Sequence, residues 1–244
     1  MSAPEARDLY AAIEATWPAA HIQRVGPWAI RDGQGGGKRV SAASAEVAVT
    51  PDDLAQAEAA MAALGQGPLF WIRAGDEALD AMLAEAGYRV IDPVTLYCCD
   101  IDTLAATPPP PVSTFVMPEP LAIMREIWAE GGIGPDRLAV MDRAADPKTL
   151  IFGRSQNRPA GAGFVGLHGR CAMVHAVEVR PAMRRQGTAG NMMRAAGVWA
   201  ARQGATHLAL AVTTANTAAN ALYRALGMQV AGRYHYRIKT GDTP

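Results

Sequence analysis

Residues Ala172 to Ala189 read AMVHAVEVRPAMRRQGTA, and the fold turns on them. Val174, Val177 and Val179 favour a strand, and Pro181 ends it because proline brings no N–H to a ladder. Arg184, Arg185, Gln186, Gly187, Thr188 and Ala189 then form a turn into AGNMMRAAGVWAAR, where Met192, Ala196, Trp199 and Ala200 fall at helical spacing. A turn at a helix N-terminus presents free N–H groups and the positive end of the helix dipole, so it suits a phosphate. Gly187 removes the Cβ that would keep a ligand off the backbone, Ala189 is nearly as small, and two arginines add charge.

Working downstream, HLALAVTTAN reads as another strand, followed by NTAANALYRALGM. Arg184-x-x-Gly187-x-Ala189 resembles the acyl-coenzyme A pyrophosphate loop of the GNAT N-acetyltransferase superfamily. The Asn216 stretch and its Ala-Leu-Tyr-x-x-x-Gly helix are similar to that superfamily's second signature. Tyr234-His235-Tyr236-Arg237 is similar to its last strand. The resemblance covers roughly Val112 to Lys239. It implies an α+β fold in αβα layers, with flanking helices on a mixed, mostly antiparallel sheet. It also implies acetyl-CoA as cosubstrate and a small-molecule or peptide amine as acceptor, in an acyltransferase that needs no metal.

The composition agrees with a globular enzyme. Half of the 244 residues are apolar, 19% are charged and the formal net charge is zero. This argues against a dedicated binder of nucleic acid or anionic membranes. No apolar run reaches the ~18 residues of a transmembrane helix, and the charged start MSAPEARDLYAAIEA is not laid out as a signal peptide. Cys98, Cys99 and Cys171 have no metal or redox spacing, so a cytoplasmic protein with reduced thiols is expected. Oligomeric state is not legible.

Upstream, Pro4 to Thr16 reads as a helix. Trp28 to Ile30 is a short strand, and DGQGGGK is expected to turn it back into a second strand, RVSAASAEV, as a hairpin. That glycine run is not a P-loop: Asp32 stands where the first Gly is required and Arg39 where Ser or Thr is. A helix from Pro51, a strand LFWIRA, a helix DEALDAMLAEAG and a strand YRVIDPVTLYCCDI follow. Leu79 to Val90 aligns with Ala219 to Val230, matching Met82 with Leu222, Gly87 with Gly227 and Val90 with Val230. An internal repeat of this kind points to tandem copies of one αβ fold. The expected units are residues 1–106, degenerate and lacking the loop, a proline-rich linker at 107–111, and a catalytic unit at 112–244. In the first unit Leu83 replaces Tyr223, and Asp52 and Asp53 put negative charge where a pyrophosphate would sit. Its expected role is to complete the core or to wall the substrate cleft.

Gly161 to Gly166 fits the dinucleotide pattern G-x-G-x-x-G by letter, but strand continues through Phe164, Val165 and Leu167 where a helix is required. The family resemblance assigns the remaining roles. Backbone near Val177 and Val179 and the loop from Arg184 through Gly190 hold acetyl-CoA, with Asn216 on the pantetheine arm; Asn216 is also a natural helix N-cap. Tyr223 is the candidate acid, a phenol of pKa about 10 beside a thiol of about 8.5. The base is Glu178, His175 or a water; regular alternation would send those two side chains to opposite faces unless a bulge intervenes. Trp128, Glu130 and Ile133 are candidate acceptor contacts, although an aromatic on an amphipathic helix is also a core residue. With no nucleophilic Cys or Ser-His pair, direct transfer in a ternary complex is expected; a non-catalytic acyl-CoA sensor is the alternative.

Overall fold

The computed structural model describes residues 3–239; residues 1–2 and 240–244 of the two expected units lie outside the described residues. In chain order, α1 (Ala6–Thr16) leads to β1 (His21–Val25), β2 (Trp28–Asp32), α2 (Lys38–Ser41) and β3 (Ser44–Ala45). Next come α3 (Pro51–Ala63), β4 (Leu69–Ile72), α4 (Glu77–Glu85), β5 (Tyr88–Asp100) and α5 (Ile101–Ala105). Beyond the prolines lie β6 (Thr114–Met117), α6 (Ala122–Glu130), α7 (Pro135–Arg143), β7 (Lys148–Ser155), β8 (Arg158–His168) and β9 (Cys171–Val179). A 3-10 turn at Pro181–Met183 precedes α8 (Thr188–Arg202), β10 (His207–Thr213), α9 (Thr217–Ala225) and β11 (Gln229–Lys239).

The main sheet has eight strands in the order β4-β11-β5-β10-β9-β8-β7-β6, and every neighbouring pair is antiparallel except β9 with β10. Strands from both sides of residues 107–111 therefore join one sheet. The repeat explains how. The β4–α4–β5 and β10–α9–β11 units run at the same sequence offset that separates Leu79 from Ala219, and Gly87 and Gly227, both at positive φ, end the two helices alike. The run β4-β11-β5-β10 is palindromic under that offset. Its centre is the pair Val94–Tyr234, whose members are each other's counterparts. Each half thus lends its last strand to the other, and neither carries an unpaired edge at the join.

Alternating residues bury the two faces. Val174, Val179, Leu208 and Leu210 pack with α5, α8 and α9 on one side. Phe152, Ala162 and Phe164 pack with α6, α7 and Trp17 on the other, and α1 lies on Met173, Ala209 and Leu96. Helix α5 approaches α8 closely because Gly197 has no side chain; a Cβ there would stand 2.8 Å from that of Leu104.

The glycine-rich segment departs from the expected hairpin. The tight hairpin is β1–β2, turning at Gly26, and Lys38–Ser41 is a helical turn, so that only Ser44 and Ala45 pair with β2. The glycines serve both space and backbone, since Gly35 and Gly37 also take positive φ. A Cβ on Gly35 would lie 2.5 Å from the Asp136 carboxylate, one on Gly36 2.6 Å from Val140, and one on Gly37 3.3 Å from the Arg137 guanidinium. The loop lies directly on α7 and seats the first half against the second. Pattern matching to a turn could not reveal this, since the contact is long-range.

Candidate active site

The parallel pair β9–β10 is paired only from His207–Cys171 to Leu210–Val174. Beyond it the strands part, and β9 from His175 to Val179 has no strand partner on that edge. The parting has a local cause. Ala176 takes φ 51° and the register with β8 slips between Ala162 and Phe164, which is a bulge opposite Gly163. The Ala176 carbonyl turns out of the ladder and accepts a 2.8 Å bond from the Trp128 indole N–H.

The bulge also corrects the regular alternation expected for this strand. Val174, Val177 and Val179 share the α8 face. His175 packs on Trp17 and Phe164 on the opposite face, and Glu178 meets α6 at Gly131, where a Cβ would stand 2.5 Å from its carboxyl carbon. His175 and Glu178 therefore lie on one side after all. Alanine carries no signal for a bulge, so the sequence could not place it.

At the C-terminal end of β9, the loop from Arg184 to Gly187 enters α8. Arg184 donates from Nε to the Val179 carbonyl at 3.0 Å and from its terminal nitrogen to Glu178 at 3.2 Å. Arg185 has φ 60° and Gly187 φ 80°, and Gln186 is held through Oε1 by the Ser155 hydroxyl at 2.6 Å. Gly187 caps α8 without any side-chain bond. Among the described residues, the N–H groups of 185 to 190 have no acceptor, and the buried Thr188 hydroxyl has no partner either. Unspent backbone donors at the positive end of a fifteen-residue helix suit an anion chemically. The corresponding start of α3 is closed instead: Asp53 accepts from the Thr50 N–H at 2.8 Å.

Tyr223 projects from α9 into the α8-side core with Val174, Val177 and Val179, and its ring lies 5.9 Å from that of Tyr97. Burial pushes its phenol up to about 12, so it stays protonated throughout the neutral range. Asn216 caps α9, accepting from the Ala219 N–H at 3.1 Å. Asn220, which the sequence reading passed over, ties α9 to the end of β10: it donates to the Thr213 carbonyl at 3.0 Å and accepts from the Tyr97 hydroxyl at 3.1 Å.

On the other side of the parted strands is a pocket of about 250 Å³. Ala176 of β9 and Thr213 of β10 form its wall at the split, Ile133 and Arg137 come from the second half, and Trp17, Arg39 and Asp92 from the first. Tyr234 and Tyr236 of β11 close it. Of the three expected acceptor contacts only Ile133 lines it. Trp128 is fully buried in the core, and Glu130 is bound to Arg180 at 2.7 Å. Arg39 was the missed residue; its only sequence mark was that it spoiled a P-loop.

His175 lies behind this pocket with both ring nitrogens engaged. The Thr16 hydroxyl donates to the Ala12 carbonyl, so it accepts from His175 Nε2 at 2.8 Å, which leaves Nδ1 to accept from Arg39 at 3.1 Å. Burial, and then the neighbouring Arg39 charge, hold the imidazole well below its ordinary pKa. Among the described residues, no cluster of three or more His, Cys, Asp or Glu could hold a metal ion, and no helix is long and apolar enough to cross a membrane.

Residues 119–228 match the acetyltransferase (GNAT) family. The chain is 25% identical over 236 residues to a protein of Bacillus subtilis (strain 168) described as the uncharacterized N-acetyltransferase YobR, covering 92% of this chain and 95% of that one. Among solved structures it resembles a GCN5-related N-acetyltransferase from Kribbella flavida, with TM-score 0.69 and 19% identity over 99% and 98% of the two chains. It also resembles a tandem GNAT protein from the clavulanic acid biosynthesis pathway, with TM-score 0.58 and 15% identity over 83% and 76%.

Proposed function

We propose that this protein, whose residues 119–228 match the acetyltransferase (GNAT) family, transfers an acetyl group from acetyl-CoA directly to an amine held in the pocket between its two halves. The observation that carries this is the join of three features at one place. An open anion cradle begins α8, the strands β9 and β10 part beside it, and a small pocket faces the opening from the far side.

In this reading the free N–H groups of 185 to 190, with Arg184 and Arg185, bind the pyrophosphate. The unpaired edge of β9 at Val177 and Val179 holds the pantetheine arm and polarises the thioester carbonyl, and Asn216 contacts the arm while capping α9. The amine nitrogen attacks the carbonyl carbon, and the C–S bond breaks as the tetrahedral intermediate collapses. Tyr223 gives its proton to the departing sulfur; a phenol near 12 remains loaded until the thiolate forms. The ammonium proton leaves through water toward Glu178, which shares the pocket's side of the sheet. His175 is a positioning residue, because neither nitrogen is free to accept a proton.

The test is acetyl-CoA turnover across an amine library by wild type and Tyr223→Phe, with acetyl-CoA affinity measured on both. General acid loss predicts a drop in kcat of about 100-fold or more with unchanged affinity. Equal turnover by the two would remove Tyr223 from the mechanism. Binding without turnover of any amine would favour the sensor reading.

A further inference from the structure

Arg39 is a cation with no anion. Its side chain runs under the pocket, its Nε is buried without a hydrogen-bond partner, and its guanidinium meets the neutral His175 ring and the neutral phenols of Tyr234 and Tyr236. No carboxylate lies within 4 Å of it or of Arg137 among the described residues, while the neighbouring cation Lys38 is matched by Asp92 at 2.7 Å. Glu14, which shares a small adjoining cavity with Arg39, is paired with Arg31. Tyr234 is only 3% exposed, and its hydroxyl lies against the Arg39 guanidinium. A guanidinium held among neutral groups, with no carboxylate to balance it, favours an anion beside it, and Arg39 and Tyr234 border one cavity that opens on the parted strands.

We infer that the acceptor is an amine that carries a carboxylate, an amino acid or a close relative, with Arg39 and the Tyr234 hydroxyl binding the carboxylate. This rests on the transferase reading above and narrows its substrate. Arg137, held over Gly37 at the rim, adds a second positive charge. The planar guanidinium offers parallel N–H groups that match two carboxylate oxygens. The cavity of about 250 Å³ falls just below the usual range for ligand pockets, which suits a small acceptor. Trp17, Ile133 and Val94 supply apolar wall for its side chain. With the carboxylate at Arg39, the amine reaches toward Ala176 and Thr213, where β9 and β10 part. The Thr16–His175 pair holds Arg39 in this orientation from behind, so the first half of the chain builds the specificity.

The experiment compares amino acids with their decarboxylated counterparts, leucine against isoamylamine and phenylalanine against phenethylamine, with phosphoethanolamine as a third arm. Acetyl-CoA affinity is followed separately by calorimetry. A charge-assisted pair predicts a kcat/KM advantage of about 10- to 100-fold for the carboxylated member, most of it in KM. Arg39→Gln should abolish that advantage while leaving acetyl-CoA affinity unchanged. Should Arg39→Gln not fold, Tyr234→Phe and Arg137→Gln should each reduce the advantage severalfold. His175→Asn should raise KM for the amino acid more than it lowers kcat. Equal rates within a pair, or the same advantage for phosphoethanolamine, would overturn the carboxylate assignment and leave the transferase reading standing. Failure of wild type to bind acetyl-CoA would overturn both.

Discussion

Replacing Gly187 separates the two things this residue does. It caps α8 at φ 80°, and a Cβ built on it would meet nothing within 4 Å. Gly187→Ala therefore meets no steric clash and costs only the left-handed backbone penalty, about 1–2 kcal/mol, or roughly 2–8 °C in Tm for a chain of this size. Gly187→Glu carries the same backbone penalty, but its carboxylate sits at the positive end of the helix and regains about 0.3–1 kcal/mol. The glutamate variant should thus unfold at or slightly above the alanine variant. Acetyl-CoA affinity should run the other way. The alanine variant keeps the unspent N–H groups and should bind within about tenfold of wild type. The glutamate both occupies those donors and repels the pyrophosphate, so binding should fall by about 100-fold or more, two losses of a charge-assisted interaction. Urea denaturation and calorimetry on the three proteins measure the two quantities independently. Glutamate and alanine variants of equal acetyl-CoA affinity would refute the cradle, whatever their stabilities.

Other consequences follow from buried titratable groups. His175 is neutral when folded but takes a proton near pH 6.5 when unfolded. The unfolded chain then binds more protons, so stability should fall as pH drops below about 6.5, by at most ~1.4 kcal/mol per pH unit, levelling below the folded pKa. Denaturation curves between pH 7 and 4.5 should show that slope, and His175→Gln should flatten it. Burial raises the Cys98 thiol to about 11 and the Cys99 and Cys171 thiols to about 12. At pH 8 the native protein should therefore react with iodoacetamide at least about 100-fold more slowly than the urea-unfolded chain; rapid native labelling would contradict that burial. Gly197→Leu should cost about 3 kcal/mol or more by driving α5 from α8, lowering the urea midpoint; an unchanged midpoint would mean that α5 can move away freely.

The local features of this chain were legible from its letters. Arg184 to Ala189 could be read as a strand-to-helix turn with free N–H groups, because glycine and small residues at a helix start have a conformational consequence that needs no distant partner. Tyr223 and Asn216 stood out through the family resemblance; of the structural readings, the N-cap at Asn216 could be read locally, because asparagine favours that position. The Leu79 and Ala219 repeats foretold two similar αβ units. Tertiary structure decided how those units meet. Strand exchange between β5 and β11 depends on pairing between residues far apart in sequence, and no local pattern encodes a partner's register. The bulge at Ala176, which brings His175 and Glu178 to one face, depends on the opposing Gly163 and on the Trp128 bond to its carbonyl. The glycine run at 33–37 resembled a turn or a broken phosphate loop, and the reason for Gly35 and Gly36 lies in α7, about a hundred residues away, whose Asp136 and Val140 side chains leave no room for a Cβ. The pocket beside the parted strands exists only where both halves meet. The sequence determined the conformation of the loop through its own small residues, and three-dimensional packing decided that Arg39 of the first half would line the pocket at the parted strands.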